Sequence, residues 1–234
     1  MVSRGCRVLV GISAVAGASV LGLTSMTGPA VAFAADTALI VGGSGVPVPP
    51  PSYLDAANNL YLTPLGYGGY TPVPVTTPEQ YYPLTGANSL TPDASVAQGV
   101  TALDAAIRPQ LAAGNKVVVF GYSQGAGVVS QEAANLASSP NPPSPDQLSF
   151  VLVGDPATPN GGLNARYQIP GAPPLSLQGT TFDIAPTTGT PYPTTVYNQE
   201  YDLAGDAPQY PLNFLASWPT STPPWALSPS TAGI

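Results

Sequence analysis

The apolar positions along this chain fall into short continuous runs, separated by polar turns and by one long stripe of helical period. Thr37 to Val41 is such a run, and it stops at Gly42-Gly43-Ser44-Gly45, the pattern of a buried strand ending in a tight backbone turn. From Val46 to Pro92 prolines recur so often that no long helix or central strand fits, although Tyr53 to Leu62 has room for two helical turns. Thr91 then offers an N-cap with Pro92 at the first helical position, and Val96, Val100, Leu103, Ile107 and Leu111 repeat at helical spacing up to Gly114. Pro109 is expected to loosen the last turn. Lys116 to Phe120 reads as a strand covered on both faces, and Gln124 to Ser138 as a second helix. Further strands are expected at Leu148 to Val153 and at Thr194 to Tyr201, with a short helix at Leu212 to Ala216. Strands alternating with helices predict an α/β domain with a mostly parallel sheet, whose functional residues lie beyond the strands' carboxyl ends.

The first residues follow a different pattern. Arg4 and Arg7 precede an uncharged run from Val8 to Leu23, and Ala32-Phe33-Ala34 forms a small-x-small cleavage site, so residues 1–34 are expected to be a secretory signal peptide. Removing them takes away Cys6, the one cysteine, and leaves Arg108, Lys116 and Arg166 as the only basic side chains against 12 acidic ones. Nucleic acid is then an unsuitable partner, because phosphate binding needs clustered Lys and Arg. Histidine is absent from all 234 residues, which excludes the commonest general base and the commonest zinc ligand; no metal or cofactor is expected.

Gly121-Tyr122-Ser123-Gln124-Gly125 fits G-x-S-x-G, the turn that presents a nucleophilic serine between a strand and a helix. Chance alone gives about 0.2 matches at this Gly and Ser content, so the pentapeptide gains its meaning from its place after a buried strand and before a helix. With Ser123 as nucleophile, the backbone N–H of Gln124 and one from Gly43, Ser44 or Gly45 are the expected oxyanion donors. The acid should follow a later strand. Asp202 fits best, Asp206 is the alternative, and Asp155 is a weaker candidate.

Together these segments resemble the PE-PPE C-terminal domain family, serine α/β hydrolases similar to cutinases and lipases. The resemblance is carried by Thr37 to Pro47 with Pro49, Pro50 and Tyr53, by Gly121 to Gly125, and by Glu200-Tyr201-Asp202 with Asp206, Pro208 and Pro211-Leu212-Asn213. It implies an α/β-hydrolase-like, cutinase-like sheet flanked by helices over residues 35–216, and hydrolysis of acyl or lipid-like esters outside the cytoplasm or at the cell envelope. Ser123 is the implied nucleophile and an Asp of the third segment the implied acid.

The family pattern continues to a catalytic histidine, and here residues 217–234 form a Pro-rich tail without one. Lys116 cannot substitute, since seven residues of strand put it about 20 Å from Ser123. A carboxylate with an ordinary pKa near 3.9 is a poor base for a hydroxyl. An oxyanion hole and binding alone can still give about 10³–10⁴-fold over water. Two expectations follow. One is a secreted esterase-like protein that turns over weakly or takes its base from another chain. The other is a non-catalytic lipid- or envelope-binding derivative, motivated by the missing base and by the loop tyrosines Tyr53, Tyr61, Tyr67, Tyr70, Tyr81 and Tyr82.

Overall fold

A computed structural model describes residues 35–168, 171, 173, 175–200 and 202–209. The expected signal peptide, the Leu212 to Ala216 helix and the tail lie outside the described residues. Five strands form one parallel sheet in the order β2-β1-β3-β4-β7. β1 (Thr37–Val41) and β3 (Val117–Tyr122) are neighbours in register, Thr37 beside Val117 and Val41 beside Gly121. β4 (Leu148–Val153) lies beside β3, and β7 (Thr194–Tyr197) beside β4. β2 (Thr71–Pro74) is an edge strand inside the proline-rich region, where proline is tolerated because only one side needs ladder donors.

Side chains alternate across this sheet, so each strand feeds two cores. On one face Leu39, Val119, Phe150 and Leu152 pack against α2 (Pro92–Ala112) and α3 (Gln124–Ala137), through Leu103, Ile107, Val129 and Leu136. On the other, Ile40, Val118, Phe120 and Val151 meet α1 (Pro51–Ala57) and the π-helical turn Asn58–Leu62 that continues it. Tyr53 and Tyr61 belong to this second core, Tyr61 lying against Phe120 and Tyr197 with ring centroids 5.5 and 5.3 Å away. They are packing residues.

Three details differ from the sequence expectation. β3 runs two residues further, to Tyr122, because Gly121 and Tyr122 still find ladder partners in Leu152 and Val153. β7 stops at Tyr197, not Tyr201, because β4 ends opposite it at Val153. The buried stripe of α2 is Ser95, Gly99, Leu103 and Ile107, one position off at its start, and Val96 and Val100 are only partly covered. Gly99 explains the offset: a Cβ there would lie 2.9 Å from Val128, so α2 crosses α3 at a glycine and turns its valines aside.

Two small elements complete the fold, α4 (Leu163–Tyr167) and an antiparallel hairpin of β5 (Ser176–Leu177) and β6 (Thr180–Thr181). The hairpin is bolted to the start of α2, where Asp93 accepts bonds of 2.7 Å from both the N–H and the hydroxyl of Thr181. Farther along the helices, Glu132 of α3 is buried at 2% exposure and its carboxyl is pushed up to about 8, first by burial and then by a hydrogen bond to Asp104 of α2. Asp104 in turn pairs with Arg108 at 2.7 Å.

Glu132 thus holds its proton in the folded state well above its unfolded value of 4.5. The stabilisation from that neutral acid is fully present below about pH 4.5 and is lost as pH rises through about 8. Urea midpoints measured from pH 4.5 to 9 are expected to fall less steeply in Glu132→Gln than in the wild type; parallel profiles would contradict this assignment.

Candidate active site at the strand-to-helix elbow

The sheet changes direction of winding between β1 and β3, the place where α/β sheets open a crevice at their carboxyl ends. Both segments singled out by sequence end there. Ser123 sits between β3 and α3 with φ 54° and ψ −120°, a left-handed conformation that is strained for a serine. Its own N–H is held by Val153 O at 2.9 Å, and its carbonyl accepts from Gly127 at 3.2 Å. The flanking glycines are required by contact. A Cβ on Gly121 would meet Gly125 O at 2.6 Å, and one on Gly125 would overlap the Gly42 carbonyl at the end of β1.

Gln124 opens α3, so its N–H has no partner inside the helix. Its side chain is buried and ties three segments together: Ser44 Oγ donates to Oε1 at 2.8 Å, and Nε2 donates to Gln80 O at 2.9 Å. The loop after β1 is thereby fastened beside Ser123. Within that loop Gly45 N–H is committed to Glu79 O at 2.7 Å, and the Gly43 backbone lies against Tyr53. Ser44 N–H is bonded to no described group, which makes it the loop donor available to an oxyanion alongside Gln124 N–H.

The three acids separate clearly. Asp202 lies in the turn after β7 with Oδ2 over Gly154, where an added Cβ would come within 2.7 Å of it. It faces Tyr122, whose hydroxyl is pushed up to about 12 by burial and by the Asp202 charge. Asp206 packs instead on Gly161, and its N–H donates to Asp202 O at 2.9 Å. Asp155 is buried at 1% exposure and accepts from Ser130 Oγ at 2.9 Å and from Ala157 N at 3.0 Å. Burial pushes its carboxyl up to about 6. It clamps α3 to the loop after β4, while Asp202 lies against Gly154 and Tyr122, at the ends of β4 and β3.

A cavity of about 500 Å³ opens at Ser123 and Ser44, and the sequence did not point to it. Val96 and Val100 of α2 line one side, with Pro156, Leu163 and Ile184 among the other lining residues. Val96 and Val100, packed partly against the core, therefore also serve this cavity. No local pattern could signal it, since its walls come from α2, α3 and the hairpin segment, joined by Ala185 N–H donating to Gln131 Oε1 at 3.0 Å. Of the loop tyrosines, Tyr81 reaches the lining.

A parallel sheet with a serine elbow after the strand neighbouring β1, and helices on both faces, is an α/β-hydrolase-like fold. Within that class the chain belongs to the PE-PPE domain family, whose pattern matches residues 68–220. It is 50% identical over 184 residues to "Esterase PE16" of Mycobacterium tuberculosis (strain ATCC 25618 / H37Rv), covering 77% of this chain and 34% of that protein. It is 35% identical over 215 residues to "SL1278 acyltransferase Chp1" of the same organism, covering 90% of this chain and 50% of that one. The chain thus spans between about a third and a half of these relatives. Among solved structures, an acetylxylan esterase aligns with a TM-score of 0.46 and 17% identity, covering 74% of this chain and 86% of that one.

The close approach at the elbow sets an expectation for stability. Gly125→Ala forces a side chain into the β1 carbonyl and should cost at least about 2 kcal/mol, whereas Gly69→Ala, in open space, should stay within about 0.5 kcal/mol. Chemical denaturation of the two variants checks this; equal midpoints would mean that α3 and β1 can separate freely.

Proposed function

We propose that this protein is a secreted or envelope-associated serine ester hydrolase-like protein, with residues 1–34 as a cleaved leader and residues 35–216 as its hydrolase-like body. The observation that carries the reading is the strained Ser123 lining an apolar cavity, beside two backbone N–H groups that no described residue engages. The family membership and the relative named as an esterase support it.

In this reading Ser123 Oγ attacks the ester carbonyl, and the oxygen that gains charge sits between the N–H groups of Ser44 and Gln124. Such donors are worth most where water is excluded and where they are already oriented. Asp202 would orient and stabilise a base, and these 234 residues contain no histidine to be that base. The proton must therefore go to a base from outside these residues or to water, and turnover is correspondingly slow. The acyl group lies in the cavity, whose lining runs along α3 from Ser123 to Asn135. That is about 16–18 Å at about 1.5 Å per residue, and with an extended chain advancing about 1.2 Å per bond it accommodates about fifteen carbons. No described basic side chain lines it, so an uncharged acyl ester or neutral lipid is the fitting ligand.

The absence of histidine favours a second reading, a lipid- or envelope-binding derivative of the same fold. One experiment separates the two. Hydrolysis of p-nitrophenyl esters of increasing chain length is measured for the wild type and Ser123→Ala, with and without added imidazole as an external base. The catalytic reading expects a rate that imidazole raises, that Ser123→Ala lowers to the buffer rate, and that falls off for acyl chains beyond about fifteen carbons. Identical rates in the two proteins, with a fluorescent fatty acyl ester still bound, would leave the binding reading.

A further inference from the structure

Glu79 is the most unusual acid of the described chain. It lies in the proline-rich segment, is 1% exposed, and adopts φ 45°, a region that costs a non-glycine residue free energy. Among the described residues no Arg or Lys side chain acts on it. Its Oε1 accepts from the Thr77 hydroxyl at 2.9 Å, and its buried Oε2 meets no hydrogen-bond partner among the described residues. A carboxyl group so placed needs a structural reason, because a polar group left in that state costs stability.

The reason is found in the two successive carbonyls at residues 79 and 80. Glu79 O accepts from Gly45 N at 2.7 Å, and Gln80 O accepts from Gln124 Nε2 at 2.9 Å. Gln124 Oε1 completes the ring by accepting from Ser44 Oγ at 2.8 Å. One sharp bend therefore grips both sides of the oxyanion site, the loop after β1 and the first residue of α3. Consecutive carbonyls reach both only if the backbone turns at residue 79, and the left-handed φ provides that turn. Glycine would adopt it without strain but would have nothing to anchor. Glu79 anchors it by burying its side chain, hydrogen-bonded to Thr77 and within electrostatic reach of the Tyr53 hydroxyl of α1. Tyr53 itself stands against the Gly43 backbone, so the same cluster supports the loop from below.

We propose that Glu79 is the positioning residue of the oxyanion site, holding Ser44 N–H beside Ser123 through the bend at residues 79 and 80. The proposal rests on the reading that Ser123 acts on an ester. Burial pushes the Glu79 carboxyl up to about 8, against a smaller opposing effect of the Thr77 bond. The group is therefore neutral at pH 7, and glutamine is its isostere. The titratable group facing it is Tyr53, with Tyr61 and Tyr122 beyond, and burial pushes all three of these hydroxyls up, so Glu79 is the member of the cluster that ionises first. As pH rises through about 8, a charge forms beneath the loop, where it opposes both burial and an oxyanion.

The test reads the loop and the chemistry separately. Hydrogen exchange at residues 43–46 is followed by mass spectrometry from pH 6.5 to 9.5 in the wild type, Glu79→Gln and Glu79→Ala, corrected for intrinsic rates. Glu79→Ala is expected to exchange about tenfold faster, with Glu79→Gln like the wild type at pH 7; above pH 8 the wild type gains exchange and Glu79→Gln does not. Should Glu79→Ala fail to fold, the pH comparison of the other two decides alone. In the imidazole-supplemented ester assay, Glu79→Ala should lose kcat about tenfold or more with KM nearly unchanged, since the lost interaction acts in the transition state. Exchange in Glu79→Gln that rises with pH as in the wild type would overturn the proposal, as would equal exchange in Glu79→Ala and the wild type. If exchange behaves as expected and Ser123-dependent hydrolysis is absent, the catalytic reading falls and the positioning of the loop stands.

Discussion

Everything at the carboxyl end of this sheet depends on how closely the first turn of α3 approaches the last peptide of β1. Gly125 has its Cα where any side chain would strike the Gly42 carbonyl, and Gly121 leaves room on the strand side for the Gly125 carbonyl and Val129 of α3. That contact sets the separation between the two segments that carry Ser44 and Ser123. Once it is fixed, Gln124 can reach Ser44 and Gln80 together, and the left-handed φ of Ser123 follows from the need to turn the chain within one residue. Backbone close packing comes first here, and the polar contacts are fitted to it.

The remaining architecture tolerates an unusual number of buried acids for so few charges. Glu79, Glu132 and Asp155 are each buried and each held toward the neutral form by loss of water, and among the described residues none of them forms a salt bridge. Burial of neutral acids avoids the desolvation of ion pairs and leaves hydrogen bonds to do the joining. The three join different things: Glu79 braces its own bend through Thr77, Glu132 ties one helix to its neighbour, and Asp155 ties a helix to the loop after β4. The energetic character that follows is a fold better suited to mildly acidic than to alkaline surroundings.

Local sequence rules captured the parts governed by local physics. The strand Thr37–Val41, the elbow and the caps of α2 were legible because periodicity, Pro92 at the helix start and paired glycines act over a few residues. What was missed is set by partners far away in the chain. β7 ends where β4 ends; β2 exists because β1 has a free edge; and Val96 and Val100 look like core residues until Gly99 rotates the helix against Val128. Glu79 lay in a segment with no period at all, where the only hint was an acid among prolines and aromatics. Sequence order alone left Asp202 and Asp206 as alternatives, because which glycine each covers, Gly154 or Gly161, is set by segments far away in the chain.

The edge strand β2 has one more consequence. Thr71 and Val75 turn their N–H groups inward, to the carbonyls of Asp36 and Ile40, so alternation directs residues 72 and 74 outward, and both are proline. The outer rim of the sheet at β2 therefore offers carbonyls but no donors between Thr71 and Val75. A strand from another molecule could not zip onto it, and the rim is self-terminating without any charged side chain to guard it. In a protein with so few charges, proline takes over the anti-aggregation duty that lysine performs on most exposed sheet edges.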